Sequence, residues 1–165
     1  MIRIRPATPA DVPLIRDLIQ ELATYEREPN SVKITEEQLL ADGFRPNPCY
    51  ECLIAEEDGV PAGSALFFPV YSTWRGRGLH LEDLFVRPQF RGRGIGKALL
   101  RRVAAIAVEK GCTKLQWEVL EWNQPAIDFY RSLDASMLDE WRRMRVTDEA
   151  LATLAAGQTE AEATA

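Results

Sequence analysis

Hydrophobic and polar residues alternate with two different periods along the chain, which predicts β-strands interleaved with amphipathic helices. Ile2 and Ile4 alternate with arginines ahead of Pro6, so the chain is expected to begin with a short strand. Thr8 and Pro9 then have the residue types of a helix N-cap and first turn. The helix that they introduce carries an apolar stripe of Val12, Ile15, Leu18, Ile19 and Leu22.

A capping-box pattern at Thr35 and Gln38 predicts a second, short helix through about Asp42. Asp58–Gly59 has the composition of a hairpin turn between two strands. Three strands are expected in this middle part of the chain, over residues 52–55, 61–71 and 79–87.

The C-terminal third continues the alternation of helices and strands. Gly111 is placed to end a long helix. Asn123 is placed to cap a further helix, with Pro125 in its first turn, that runs to about Leu133. The remaining expectations are the stripe of the long helix (Ile95, Leu99, Val103 and Ile106), strands over 115–119 and 141–146, and a terminal helix over 148–155.

The length of 165 residues and the 46% of hydrophobic residues suit one compact domain with its own core. Beyond Gly157 the chain contains only Ala, Thr, Glu and Gln, a composition typical of disorder. We find no internal repeat and no second domain. Residues 1–156 are therefore predicted to form one domain and residues 157–165 a disordered tail.

The net charge of −5 does not favour a nucleic-acid partner. Basic residues are nevertheless concentrated locally, which suggests a small anionic ligand, with a solvated basic loop as the alternative. The residues concerned are Arg75, Arg77, Arg87, Arg91, Arg93 and Lys97.

The three cysteines and the single histidine argue against a structural zinc site. Cys49 and Cys52 have CxxC spacing, but no second pair exists and His80 is the only histidine. A reduced, cytoplasmic protein is the simpler interpretation. No apolar run is long enough for a signal peptide or a membrane span, so neither is expected.

A glycine- and arginine-rich stretch between a predicted strand and the long helix is the sharpest chemical signal. Successive glycines let the backbone turn tightly and leave its N–H groups uncovered. The helix N-terminus adds unpaired N–H groups and a partial positive charge, and the combination binds pyrophosphate. The stretch consists of Arg91, Gly92, Arg93, Gly94, Ile95, Gly96 and Lys97.

Three other interpretations of this stretch compete. An ordinary glycine-rich turn has the same composition. A Rossmann site needs GxGxxG after the first strand of a βαβ unit, whereas here the spacing differs and several elements precede the loop. A Walker A loop needs Ser or Thr after its lysine, and Lys97 is followed by Ala98.

The pattern Arg91-x-x-Gly94-x-Gly96 resembles the coenzyme A pyrophosphate motif, Q/R-x-x-G-x-G/A, of the GNAT N-acetyltransferases. About nine-tenths of the chain resembles the diamine (spermidine/spermine) branch of that superfamily, which also includes thialysine acetyltransferases. The further segments that carry the resemblance are residues 4–8, 21–26, 40–44, 81–86 and 121–130. The resemblance implies a mixed α/β (α+β) GNAT fold: a central, mostly antiparallel sheet, splayed near its middle, with helices on both faces.

The resemblance also implies acetyl-CoA as the co-substrate, with no metal, and a homodimer. Backbone groups of Leu84, Phe85 and Val86 would hold the pantetheine arm, which can add to a sheet as another strand. Residues 91–97 would hold the pyrophosphate, and the implied contacts in the C-terminal part are Asn123, Ala126 and Tyr130.

For the chemistry, the resemblance implies that Tyr130 protonates the leaving thiolate, since a phenol with a pKa near ~10 is protonated at neutral pH. Glu82 is the candidate that deprotonates the amine through a water. Strand alternation puts Glu82 and Asp83 on opposite faces, although GNAT folds often carry a β-bulge in this strand that re-aims a side chain. Tyr25 and Glu26 match acceptor-binding positions, and Glu82 and Asp83 are the further candidates for binding the acceptor. Packing of Tyr130 in a core and solvation of Glu26 are the competing structural interpretations.

Two positions depart from the pattern of the diamine branch. Ser72 stands where an acidic residue is usual, followed by Arg75 and Arg77, which puts long polyamines in doubt. Asp134 stands where glycine is usual. A short diamine, or an amino acid with a side-chain amine, fits at least as well.

We therefore expect an N-acetyltransferase that moves acetyl from acetyl-CoA to a small cationic amine directly, in a ternary complex. Neither Cys52 nor Cys112 lies in a motif that suggests an acyl-enzyme. Two alternatives remain: an acetyltransferase for a protein lysine or N-terminus, and a non-catalytic acyl-CoA-binding regulator.

Overall fold

The computed structural model describes residues 1–157 in two compact units, residues 1–118 and residues from 119 onward. Each unit is described by itself. The predicted disordered tail lies, except for Gly157, outside the described residues.

The first unit contains one five-stranded sheet in the order β1-β2-β3-β4-β5. The first three pairings are antiparallel, and only β4 with β5 is parallel. The predicted mixed, mostly antiparallel sheet is confirmed. Its strands are β1 (Ile2–Pro6), β2 (Glu51–Glu57), β3 (Val60–Ser72), β4 (Gly76–Val86) and β5 (Lys114–Gln116).

Helices account for the rest of the regular structure, and most lie where the apolar periodicity places them. The first unit holds α1 (Val12–Tyr25), α2 (Glu36–Gly43) and α3 (Ile95–Glu109). The second unit holds α4 (Gln124–Arg131) and α5 (Asp148–Ala155). In the part of the chain that the structure describes, no helix is long and apolar enough to cross a membrane.

Capping side chains begin the helices as their sequence predicts. Thr35 accepts a hydrogen bond from the Gln38 backbone at 3.2 Å, and the Gln38 side chain accepts one from the Thr35 N–H at 3.0 Å, which completes the predicted capping box. Thr8 forms a similar box with Asp11 around a short 3₁₀ turn that leads into α1. These contacts satisfy backbone N–H groups that have no partner within the helix.

The helices cover both faces of the sheet. Ile15 and Leu18 of α1 pack with Cys52, Ile54 and other residues on one face. Leu53 and Ala55, which alternate with them on β2, are buried on the opposite face, where α3 contacts the sheet. The stripe of α3 is buried there: Ile95, Leu99, Val103 and Ile106.

Two irregularities of β4 shape the sheet. The pairing of β3 with β4 shifts between Leu66 and Phe67, which oppose Asp83 and Leu81, so Glu82 is the extra residue of a β-bulge. On its other side β4 pairs with β5 only over Gly78–His80. Beyond His80 the sheet therefore opens between β4 and β5, its last two strands.

Two predicted strands are corrected. Residues 141–146 form no strand, because the apolar residues there (Trp141, Met144 and Val146) do not keep a period of two and all are exposed. The strand expected over 115–119 is limited to β5, which ends at Gln116.

Candidate active site

The glycine-rich loop of residues 91–97 joins the end of β4 to α3. Gly92 and Gly94 have φ angles of 75° and 81°, in the left-handed region that favours glycine, and a Cβ at either position would meet nothing within 4 Å. No side chain among the described residues caps the N-terminus of α3, where Gly94 is the N-cap. The loop therefore presents an uncovered backbone at a helix N-terminus, which fits a pyrophosphate.

The two arginines of this loop are held against the protein surface. The Arg91 guanidinium lies 4.7 Å from the centroid of the Tyr25 ring and 5.8 Å from that of Phe85, and its Nε donates a 2.9 Å hydrogen bond to the Val86 carbonyl. The stacking of Arg91 on Tyr25 joins the glycine-rich loop to the C-terminal end of α1.

Arg93 is held in a similar way. It forms an ion pair with Glu57 at the end of β2 and donates a 3.0 Å hydrogen bond to the Gln89 carbonyl. Its guanidinium also lies 5.6 Å from the centroid of the Phe90 ring. The arginines thus brace the loop, and Lys97 remains as an exposed cation on the first turn of α3.

The edge of β4 beyond His80 is open to a further extended partner. Leu84, Phe85 and Val86 pair with β3 on one side, whereas β5 stops pairing at His80. Within residues 1–157, no strand pairs with the other side of this segment. An extended chain with two amides, such as pantetheine, fits an open strand edge of this kind.

Three carboxylates lie near the start of that open edge. Glu82, on the bulge, has a side chain that is 44% exposed. Burial, followed by repulsion from Glu82 and Glu26, raises the pKa of Asp83 to about 7. Burial also raises the pKa of Glu26, which is the C-cap of α1 next to Tyr25. The structure thus brings together the carboxylates that the sequence analysis proposed for the acceptor.

His80 is the residue of this region to which the sequence analysis gave no role. It is buried on β4, its Nε2 lies 3.3 Å from Glu82 Oε2, and its ring stacks on Phe68 with centroids 5.1 Å apart. Its position two residues before Glu82 was a signal for this contact, because alternate residues of a strand share a face.

The second unit carries the other predicted site residues. The Asn123 side chain accepts a 3.4 Å hydrogen bond from the Ala126 N–H and so caps α4 as predicted. Tyr130 lies near the end of α4, half-buried, with its ring centroid 5.2 Å from that of Phe129. Asp134 adopts a φ of 61°, so the backbone keeps a conformation that glycine favours.

Comparison with known proteins identifies the family. The model described as "Acetyltransferase (GNAT) family" matches residues 14–134. A thialysine N-epsilon-acetyltransferase from Sus scrofa is 43% identical over 165 residues, covering 93% of this chain and 97% of that protein. A spermidine/spermine N(1)-acetyltransferase-like protein 1 from Homo sapiens is 36% identical over 163 residues, covering 93% of this chain but 24% of that protein.

Solved structures agree on the fold. An integron cassette protein from the mobile metagenome of V. cholerae has a TM-score of 0.77 at 24% identity, with 93% of this chain and 97% of that one covered. AAC(6')-Iy in complex with a bisubstrate analog, CoA-S-monomethyl-acetylneamine, has a TM-score of 0.73 at 21% identity, with 90% and 99% covered. The chain therefore belongs to the GNAT acetyltransferase family and is an enzyme that uses acetyl-CoA as its acetyl donor.

Proposed function

We propose that this acetyltransferase modifies the side-chain amine of a small cationic acceptor, with a thialysine- or lysine-like amino acid as the first candidate. The observation that carries the proposal is the group of three carboxylates, Glu26, Glu82 and Asp83, at the start of the open edge of β4. Their negative potential attracts an ammonium group to that edge. The 43% identity to a thialysine N-epsilon-acetyltransferase supports the amino-acid class.

Glu82 is proposed as the general base. An alkylamine is mostly ammonium at neutral pH and becomes nucleophilic only after it loses a proton. Glu82 lies on a bulge with a partly exposed side chain, so it can accept that proton directly or through one water. Asp83, which is more buried and has a raised pKa, is proposed to hold the cationic acceptor in place.

Tyr130 is proposed as the general acid. The acetyl donor supplies its acetyl group as a thioester, so a thiolate must leave. A phenol holds a proton at neutral pH that it can deliver to such a group. The support for Tyr130 is its match to the family motif at the end of α4 and its half-buried position.

Coenzyme contacts are proposed for two parts of the first unit and one of the second. The uncovered backbone of the glycine-rich loop and Lys97 would bind the pyrophosphate. Leu84, Phe85 and Val86 would bind the pantetheine arm at the open strand edge. Asn123, Ala126 and Tyr130 would contribute from α4.

We also propose that the enzyme is a cytoplasmic homodimer without a nucleic-acid partner, in which residues 1–156 act as one domain. Three free cysteines among the described residues suit a reducing compartment. The net charge of −5 is unfavourable for nucleic acid. The homodimer and the single domain rest on the resemblance to the diamine acetyltransferases.

Turnover of acetyl-CoA across a panel of amines tests the proposal, with released thiol as the readout. The panel contains thialysine, lysine, ornithine, putrescine, spermidine and a lysine peptide. We expect turnover of one small amine, with kcat about 10²-fold lower in Tyr130→Phe and in Glu82→Gln at pH 7. Tyr71→Phe is the matched control, because Tyr71 is exposed on β3 and outside the site.

The pattern of results separates the candidates. The loss in Glu82→Gln should shrink at pH 9.5, where about three-hundredfold more of the amine is neutral than at pH 7. Turnover of the peptide alone would indicate a protein acetyltransferase instead. Tight binding of acetyl-CoA without turnover of any amine would favour a binding protein.

A further inference from the structure

We propose that His80 is a positioning residue that holds the Glu82 carboxylate for proton transfer, an inference that rests on the proposed role of Glu82 as the base. His80 is the only histidine of the chain and is 7% exposed. Its Nε2 lies 3.3 Å from Glu82 Oε2. Contacts of this kind are often long in an enzyme without substrate and shorten in the reacting complex.

A chain of polar contacts from β5 selects the tautomer of this imidazole. Lys114 Nζ lies 2.6 Å from Gln116 Oε1 and donates to it, which orients the Gln116 amide. Gln116 Nε2 therefore faces His80 Nδ1, at a distance of 3.4 Å. An amide nitrogen donates hydrogen bonds and does not accept them. Nδ1 must then be the acceptor, so the ring proton lies on Nε2, the nitrogen that faces Glu82.

The same contacts fix the orientation of the imidazole ring. A hydrogen on Nδ1 would meet the hydrogens of the Gln116 amide. Stacking on Phe68, at 5.1 Å between centroids and 25° between planes, restrains rotation of the ring. With its proton on Nε2, His80 is placed to donate to Glu82 Oε2 when the contact shortens in the reacting complex.

Glu82 has particular need of such an anchor. It is the extra residue of a β-bulge, and nearly half of its side chain is exposed, so the strand alone leaves several rotamers open to it. Repulsion from Glu82 and from Glu26 of α1 raises the pKa of Asp83, and Asp83 in turn raises the pKa of the buried Cys52 thiol on β2. A donor on Oε2 opposes that repulsion and leaves Oε1 to receive the proton of the amine.

Two variants of His80 separate hydrogen bonding from packing. His80→Phe keeps a ring to stack on Phe68 and removes the donor. His80→Gln places an amide nitrogen about where Nε2 lies and restores the donor. With the best amine of the panel, we expect kcat/KM of His80→Phe to fall about tenfold, the size of one hydrogen bond to a charged group, and His80→Gln to recover most of that loss.

The pH profile gives a readout that a packing role would not change. A donor to the carboxylate favours its charged form over its protonated form. The acid limb of kcat/KM should therefore move to higher pH in His80→Phe and return in His80→Gln. The KM for acetyl-CoA and the melting temperature of each variant report on correct folding.

The double variant tests whether His80 acts through Glu82. In a Glu82→Gln background, assayed at pH 9.5 where activity remains, His80→Phe should change the rate less than about twofold. An equal loss in both backgrounds, or no recovery in His80→Gln, would overturn the positioning role and leave the proposed function intact. A wild-type rate in the Glu82→Gln single variant would instead reject Glu82 as the base, and His80's role with it.

Discussion

The two sides of the candidate site are built from different chemical groups. The proposed coenzyme side consists of backbone groups, at the glycine-rich loop over residues 91–97 and at the open edge of β4. The proposed acceptor side consists of side-chain carboxylates, Glu26, Glu82 and Asp83. The first side should therefore be sensitive to changes of backbone conformation, and the second to changes of charge.

Charge compensation differs between the two sides as well. On the coenzyme side, Arg93 is paired with Glu57 and Arg91 lies over the Tyr25 ring. On the acceptor side, repulsion between carboxylates contributes to the raised pKa of Asp83. Mutual repulsion of this kind costs stability in the protein without ligand and is relieved when a cation binds.

The largest effect is expected from a backbone change on the coenzyme side. Gly94→Val puts a β-branched residue at a φ of 81°. A left-handed conformation costs an L-residue about 1–2 kcal/mol, so the loop should move and misdirect its N–H groups. We expect the KM for acetyl-CoA to rise about tenfold, while the KM for the amine stays within about twofold.

Gly76→Val is the matched control for this variant. Gly76 has a φ of 78° and the same open surroundings, but it begins β4 at the β3–β4 turn. Both variants should lose similar stability in thermal unfolding, and only Gly94→Val should change the KM for acetyl-CoA. Equal effects on that KM would show that the loop backbone has no special role.

A smaller effect, on stability, is expected from the acceptor side. The pKa of Asp83 rises from 3.8 in the unfolded chain to about 7 in the folded protein, so the folded state binds more protons between these values. Asp83 therefore destabilises the fold progressively as the pH rises from about 4 to above 7. Asp83→Asn should remove this pH-dependent loss of stability.

Melting temperatures across pH test this expectation. Solvent screening of the half-buried Asp83 reduces the effect to about 1–2 kcal/mol, so Asp83→Asn should melt about 2–6 °C above the wild type at pH 8. The difference should vanish near pH 4. Asp17→Asn, at an exposed position on α1, is the control and should give a difference that is independent of pH. A constant difference for Asp83→Asn would contradict the raised pKa of Asp83, which burial and repulsion together cause.

The sequence predicted the coenzyme side more completely than the acceptor side. Glycines with positive φ, a helix start and capping residues are local features, and the loop, the boxes at Thr8 and Thr35, and α5 lie where the sequence placed them. The roles of individual residues stay predictions. A side-chain cluster depends instead on which strands pair and in what register, which residue types do not specify.

The histidine contact and the absent strand show this limit. The pairing of Gln116 with His80 requires the parallel register of β4 and β5, and the bulge at Glu82 appears only in the pairing with β3. Over residues 141–146, Trp141 and Val146 have side chains that favour strands, yet no strand forms, because residue propensity alone does not specify one.

The smallest effect is expected at the ion pair of Arg93 with Glu57. Substitutions there distinguish an Arg93 that braces the glycine-rich loop from an Arg93 that binds phosphate directly. If Arg93 braces the loop, Arg93→Gln and Glu57→Gln should each raise the KM for acetyl-CoA about twofold, since a partly exposed pair contributes about 0.5 kcal/mol. The double variant should be no worse than either single one, because the two side chains act as a unit.

If Arg93 binds phosphate directly, Arg93→Gln alone should raise the KM for acetyl-CoA strongly, and Glu57→Gln should leave it unchanged or lower it. Arg102→Gln, which breaks the exposed pair with Glu109 on α3, is the control and should leave the KM unchanged.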